Sequence, residues 1–229
     1  MLMTEEQVIP LFPLAVVALP GAPIPLHIFE ERYKEMVARC LAEGLDFGIV
    51  WYSGEEGLRS QGGTVRILEV IKRYDDGRMD ILTRGERRFR ILEIFEDKPY
   101  LEGRVAFFDD APEPVSEALL QLAERGRALF GELSAMLAAG AGADGIDLSD
   151  PLRLSFVIAG FEGFGAGEKQ AFLEMTSTRR RLEKGVAALE KVTQRLRLTR
   201  EIERIIGGNG HPPDALRQQV GKERPPEDR

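Results

Sequence analysis

Apolar and polar positions alternate in two different ways along this chain, and the change falls near Asp109. Before it, apolar residues come in short runs rich in β-branched residues and broken by Gly and Pro. After it, they recur at helical spacing. The two periods predict an α+β chain with a β-rich first half and an all-helical second half. Val8 to Phe12 and Pro25 to Phe29 read as strands flanking a loop at Pro20-Gly21. A helix follows, with Tyr33, Met36, Val37, Cys40 and Leu41 on one face and Gly44 as its stop. Phe47 to Trp51 reads as a short buried strand, and the Gly- and Ser-rich stretch Ser53 to Gly63 as a loop. Thr64 to Tyr74 and Arg78 to Thr83 flank Asp75-Asp76-Gly77, which favours a hairpin turn. Arg87 to Phe95 and Tyr100 to Phe108 complete the set. Six or seven short strands with one inserted helix predict a small, partly closed barrel, because closure removes vulnerable edges.

In the second half, Val115 to Ala139 reads as a helix, followed by a flexible Gly and Ala loop from Ala139 to Gly145. Asp150-Pro151 has the form of an N-cap with Pro at the first helical position, and that helix runs to about Gly160. Glu168 to Met175 begins another, with a break at Thr176-Ser177-Thr178. The last helix, from about Thr178 to Ile206, carries Leu182, Val186, Leu189, Val192, Leu196, Ile202 and Ile205. At about 1.5 Å per residue it is roughly 40 Å long. His211 to Arg229 is Pro-rich and charged and reads as a disordered tail. The expected boundaries are a barrel over 7–110, a helical bundle over 114–207 and a tail over 208–229.

Composition narrows the function classes. The 229 residues suffice for a core without disulfides or metal. With 31 Lys and Arg against 38 Asp and Glu, the net charge of −7 weighs against general phosphate-backbone binding, so nucleic acid is not the expected partner. The single cysteine, Cys40, suits a reducing compartment, and a cytoplasmic location is expected. Met1 to Val8 has no basic n-region, and the longest apolar stretch, Leu11 to Ile28, is broken by four prolines. Neither a signal peptide nor a membrane span is expected. His27 and His211 lie far apart, so no soft-ligand metal cluster can be assembled, and no cofactor is expected.

Catalytic signatures are missing. There is no Gly-x-x-x-x-Gly-Lys-Ser/Thr loop to cradle phosphates and no Gly-x-Ser-x-Gly elbow. Adjacent acids such as Asp75-Asp76 and Asp109-Asp110 border loops and read as solvated turns. His27 has no partner nearby in sequence and reads as a structurally hydrogen-bonded strand residue; Cys40 reads as a small buried hydrophobe. The candidate binding surface consists of Trp51 and Tyr52 at a strand end and the basic cluster of Arg87, Arg88 and Arg90. On a strand, Arg88 and Arg90 share one face and Arg87 shares the other with Phe89. The cluster suits the grip of a carboxylate or phosphate, or else a solvated strand face or the tying of a barrel end to nearby acids, and these last, structural readings are favoured. Arg179-Arg180-Arg181 opens the last helix, where cations oppose the dipole, so these residues are expected to pair with acids from another helix.

The opening of the chain also carries a resemblance. Pro10 to Leu14 (PLFPL), Pro20-Gly21 and Pro25 to Tyr33 (PLHIFEERY) resemble the start of the amino-terminal domain of the Lon protease family. Phe47-Gly48, Gly63-Thr64, Asp76-Gly77, Gly85 with Arg88 and Ile91, and Lys169-Gln170 with Leu173-Glu174 are similar as well. The resemblance spans roughly 8 to 206. It implies a six-stranded pseudo-barrel of PUA-like type followed by a helical bundle. In the full-length protease this domain precedes ATPase and peptidase modules, and the present sequence stops where those begin. The resemblance therefore implies a non-enzymatic module that binds exposed hydrophobic segments of unfolded client proteins, with a protease as a further possible partner. The alternative is a PUA-like module for a small ligand or RNA. Motif residues Pro25, Phe29, Glu30, Arg32 and Tyr33 are expected to be structural. The sequence leaves the oligomeric state open.

Overall fold

A computed structural model describes residues 5–55, 57–137 and 148–208. Six strands and five helices follow one another as β1 (Glu6–Leu14), β2 (Pro23–Ile28), α1 (Glu31–Glu43), β3 (Phe47–Ser53), β4 (Gly57–Arg73), β5 (Met79–Phe95), β6 (Leu101–Phe108), α2 (Glu117–Leu137), α3 (Pro151–Ala159), α4 (Ala166–Glu174) and α5 (Thr178–Gly208). The described part is α+β, a single six-stranded mixed sheet with helices, as the sequence pattern predicts.

The sheet runs β2-β5-β4-β3-β1-β6 and closes because β5 also pairs with β6. One long strand makes the closure. The first part of β5, Met79 to Arg84, pairs with β2, and its last part, Arg88 to Phe95, pairs with β6. The β1–β3 pair is parallel, from Leu11 opposite Gly48 to Leu14 opposite Trp51, with β2 and α1 in the connection. Strand β2 keeps one free edge. The carbonyl of Ile24 accepts from Thr83 Oγ1 and so points to β5. By alternation, the backbone of Pro23, Pro25 and His27 points to the free side, where two of the three residues lack an N–H.

Two expectations need correction, both at glycines. Ser53 to Gly63 is not all loop, since β4 begins at Gly57. Arg78 to Thr83 and Arg87 to Phe95 are one strand, running straight through Gly85. These glycines permit close approach rather than breaking the strands. A Cβ on Gly63 would lie 2.1 Å from the carbonyl oxygen of Ala18, and one on Gly85 would lie 2.0 Å from that of Leu19. The segment from Ala18 to Ala22 thus lies directly on β4 and β5. It is held there by Gly21 N–H to Gly85 O at 2.8 Å and Gly85 N–H to Ala22 O at 2.9 Å.

Inside the ring, Ile9, Leu11, Val50, Phe89, Val105 and Phe107 form one core. A second lies between the sheet and α1, whose Tyr33, Met36, Val37 and Cys40 pack against Phe47, Ile49, Val65 and Ile81. Helix α1 stops at Gly44, which takes the left-handed conformation (φ 66°) and donates its N–H to Cys40 O. Asp150 caps α3 by accepting from Leu152 N–H at 3.0 Å, as predicted. Helices α2, α3 and α5 approach closely because a Cβ on Gly126 or Gly185 would lie 2.9 or 2.7 Å from Ile158.

The chain divides into two compact units, 1–189 and 190–229. In the described part of the second, Leu198, Ile202, Ile205 and Ile206 are exposed at helical spacing on α5. The predicted loop from Ala139 to Gly145 and the predicted tail beyond Gly208 lie outside the described residues. Among the described helices, none is long and apolar enough to cross a membrane.

Candidate functional site

The motif segments that open the chain converge on a groove of about 490 Å³. The end of β1 supplies Phe12 to Leu14, the end of β2 and the turn after it supply His27 and Phe29, and the start of α1 supplies Arg32 and Tyr33. Tyr52 from β3 lines it as well. The rings of Phe12 and Tyr33 stack at 3.9 Å between centroids and form a buried floor. Arg32 lies over Tyr33, 4.6 Å from its centroid, and pairs with Glu30 at 2.7 Å. Phe29 and Tyr52 are 59% and 50% exposed.

The exposure of Phe29 is not a by-product of folding the helix. Phe29 precedes the N-cap Glu30, a position where an apolar residue ordinarily packs on the fourth helical residue. Here that residue is Lys34, which instead bonds Glu31 and the carbonyl of Asp76. Tyr52 follows an irregularity in the β3–β4 register at Val50 and Tyr52.

On the wall of the groove, His27 and Asp80 face each other across β2 and β5, with Nδ1 2.5 Å from Oδ1. Tyr74 Oη donates to the other Asp80 oxygen at 2.8 Å. The hydrogen bond from His27, then that from Tyr74, hold the Asp80 carboxyl below the usual carboxylate range. The partner that sequence neighbours could not supply to His27 comes from the adjacent strand.

A second cleft, about 610 Å³, lies between the Pro20-Gly21 turn, β5 and α3. It is of mixed charge. Arg84 pairs with Glu86 at 2.8 Å, Arg87 with Glu5 at 2.9 Å and Arg153 with Asp150 at 3.7 Å, all through exposed arginine side chains.

The five residues proposed from sequence do not share one surface. Tyr52 lines the groove, and Arg87 and Arg88 line the cleft. Arg90 is exposed on β5, opposite Gln61 of β4. Trp51 is buried, with the Arg59 guanidinium 5.1 Å from its ring centroid and Gly167 of α4 against it. Arg88 is 4% exposed and donates to Leu173 O at 3.0 Å, Met175 O at 2.5 Å and Asp110 Oδ1 at 2.6 Å. Arg181 meets the same aspartate and also donates to Ser155 Oγ at 2.8 Å and Met175 O at 2.8 Å. The cluster thus shows both structural arrangements weighed from sequence, with Arg88 tying the barrel to an acid and Arg87 and Arg90 on the solvated face. The acids that meet Arg181 and the helix start come from the linker before α2, not from another helix. Asp110 takes Arg181, and Glu113 accepts the Arg179 N–H at 3.0 Å.

His27, Phe29, Glu30, Arg32 and Tyr33 are the groove residues that the sequence reading set aside as structural. The signal available in sequence was Phe29, an apolar residue before a helix with Lys where its packing partner belongs. Among the described residues, no group of three or more His, Cys, Asp and Glu is placed to hold a metal ion.

The family profile described as the ATP-dependent protease La (LON) substrate-binding domain matches residues 8–191. Lon protease 2 of Myxococcus xanthus is 27% identical over 214 residues, covering 88% of this chain and 26% of that protein. The Lon protease of Anaeromyxobacter dehalogenans is 24% identical over 213 residues, covering 88% and 25%. The chain therefore spans about a quarter of the length of these relatives. A Lon N-terminal domain protein from Xanthomonas campestris superimposes with a TM-score of 0.62 at 28% identity, covering 79% of this chain and 98% of that one. The N-terminal domain of the Mycobacterium avium complex Lon protease has the same fold, with a TM-score of 0.65 at 20% identity over 80% of this chain and 98% of that one.

Proposed function

This chain belongs to the Lon substrate-binding domain family, and on that premise we propose that it is a non-catalytic module that binds exposed hydrophobic segments of client proteins through the aromatic groove. The observation that carries the reading is the pair Phe29 and Tyr52, two large aromatic side chains left at least half exposed along one apolar groove. Aromatic anchors that a fold leaves in water are what interfaces use, because they bury much area at little conformational cost. A folded client hides its apolar residues, so such a groove selects chains that are unfolded. A role in protein quality control, with a protease as partner, follows from this reading.

The test is titration of the protein with a reduced, carboxymethylated and therefore permanently unfolded protein, followed by calorimetry. Micromolar binding is expected, weakened about tenfold or more when Phe29 and Tyr52 are both replaced by Ser. Binding that is equally strong in the double variant, or present only with RNA, would overturn the reading. RNA binding lost on replacing Arg87 and Arg90 would favour a nucleic-acid role instead.

A further inference from the structure

His27 is a polar group of the groove whose bonding capacity the fold leaves partly unused. His27 Nδ1 and Asp80 Oδ1 are 2.5 Å apart, and Asp80 Oδ2 accepts from Tyr74. With its carboxyl held below the usual range, Asp80 is ionised at neutral pH and can only accept. The proton between the two residues therefore belongs to Nδ1. A neutral imidazole protonated there carries its lone pair on Nε2. No described residue bonds Nε2, and the side chain is 45% exposed where it lines the groove. The ring is also held in orientation. Phe29 stacks on it at 6.0 Å and 23°, and Tyr74 meets it edge-on at 5.9 Å and 83°.

An oriented acceptor beside exposed aromatic walls specifies a ligand. The walls favour a ring, by stacking on Phe29 or Tyr52. The acceptor favours a ring that can donate. An aliphatic donor such as serine or lysine satisfies Nε2 but leaves the walls without a partner. A phenyl ring satisfies the walls and displaces water from Nε2 without replacing its hydrogen bond.

We infer that His27 makes the groove selective for an aromatic side chain bearing a hydrogen-bond donor, the indole N–H of tryptophan or the phenol O–H of tyrosine, over phenylalanine. This rests on the peptide-binding reading above and names its preferred residue. Asp80 is a positioning residue, since it fixes which ring nitrogen accepts. Tyr74 holds Asp80 in turn.

The experiment is fluorescence anisotropy with the full chain and four labelled short peptides. They are identical except for one central residue, which is Trp, Tyr, Phe or tryptophan methylated on its indole nitrogen. Trp and Tyr peptides are expected to bind about fivefold tighter than Phe, as one net hydrogen bond provides. The methylated analogue is expected to behave as Phe. In His27→Leu all four peptides bind alike, at the level of Phe. In Asp80→Asn the new amide can donate to Nδ1 and move the ring proton to Nε2, so the indole preference disappears while Phe binding is unchanged. Equal affinities in the unaltered protein, or a donor preference that survives His27→Leu, overturn the inference and leave the groove reading standing. If none of the four binds at millimolar concentration, both fall. Equal affinities on the unaltered protein overturn the inference even if a variant does not fold, and the Asp80→Asn variant tests the role of His27 if His27→Leu does not fold.

Discussion

Two aspartates in this molecule each bridge a basic side chain and a hydroxyl, and they do opposite things. Asp110 sits between Arg88 and Arg181 with Thr178 Oγ1 at 2.5 Å, its side chain 9% exposed and the two arginines 3% and 0%. Asp80 sits between His27 and Tyr74, its side chain 33% exposed and that of the histidine 45%. At Asp110 both carboxylate oxygens are bonded by protein groups. Two guanidiniums meet one carboxylate, and the surplus positive charge is met by the carbonyls of Leu173 and Met175 at the C-terminal end of α4, where the helix dipole is negative. Phe156 lies with the Arg181 guanidinium 3.8 Å from its ring centroid and the Arg88 guanidinium 5.1 Å from it. That array joins the barrel, the linker, α3, α4 and the start of α5. At Asp80 one ring nitrogen remains free at a groove. The same chemistry thus clasps the fold where it is enclosed and addresses a ligand where it is open.

The largest expected effect is on the enclosed side. Asp110→Ala leaves two buried guanidiniums without their carboxylate and is expected to cost about 3–5 kcal/mol in urea unfolding. A loss below about 1 kcal/mol would mean that the α4 carbonyls alone suffice, and the contrast with Asp80 would lose its basis. Next is Gly85→Ala, which sets a methyl against the Leu19 carbonyl oxygen. About 1–3 kcal/mol is expected. Faster amide exchange at Gly21, whose N–H bonds Gly85 O, would locate the damage in the Ala18–Ala22 segment.

These two sites also show what was legible in the sequence. Helix α1 was readable to its stop because a 3.6-residue stripe and Gly44 act locally, and so was α3 with Asp150-Pro151. The strands of the barrel were readable as runs, but not their joining at Gly85. Glycine in a sequence signals either a turn or a close approach, and only the distant Leu19 decides between them. The groove was less legible still. Its residues were in view as a family motif, yet His27 acquires a role from Asp80, 53 positions away. Arg88 drew notice as one of a basic cluster, but its partners Asp110 and Met175 are brought to it by tertiary packing alone. Trp51 was separable from Tyr52 by strand alternation, but which side α4 would cover was not.

A smaller effect is set by pH. Burial by itself would raise the Asp110 carboxyl, but the hydrogen bonds from Arg181 and Thr178 and the charges of both arginines outweigh it, so the group titrates below its ordinary value. A carboxyl depressed in the folded state contributes stability that is present above the unfolded value, about 3.9. That contribution is lost as pH falls through the folded value. The difference in urea midpoint between the unaltered protein and Asp110→Asn is therefore expected to be constant from pH 7 to about 5 and to narrow on further acidification. A difference that widens instead would show that the carboxyl is not depressed.

The smallest effect belongs to Asp80, and comparison with Asp110 makes it the sharpest test, because a hydroxyl donor can be deleted at each aspartate. Thr178→Val keeps the side-chain shape and removes the hydrogen bond to Asp110 at a residue that is 8% exposed. A bond to a charged acceptor that is largely enclosed is expected to cost about 1.5–3 kcal/mol when lost. Tyr74→Phe removes the bond to Asp80, but water reaches that carboxylate and takes the place of the phenol. No measurable shift in the urea midpoint is expected from this second change. Its consequence belongs to the groove, where Asp80 becomes freer to turn and the preference for a donor-bearing ring falls by up to about twofold. Equal losses of stability in the two variants would show that Asp80 is as much a part of the framework as Asp110, and that its openness to the groove is incidental.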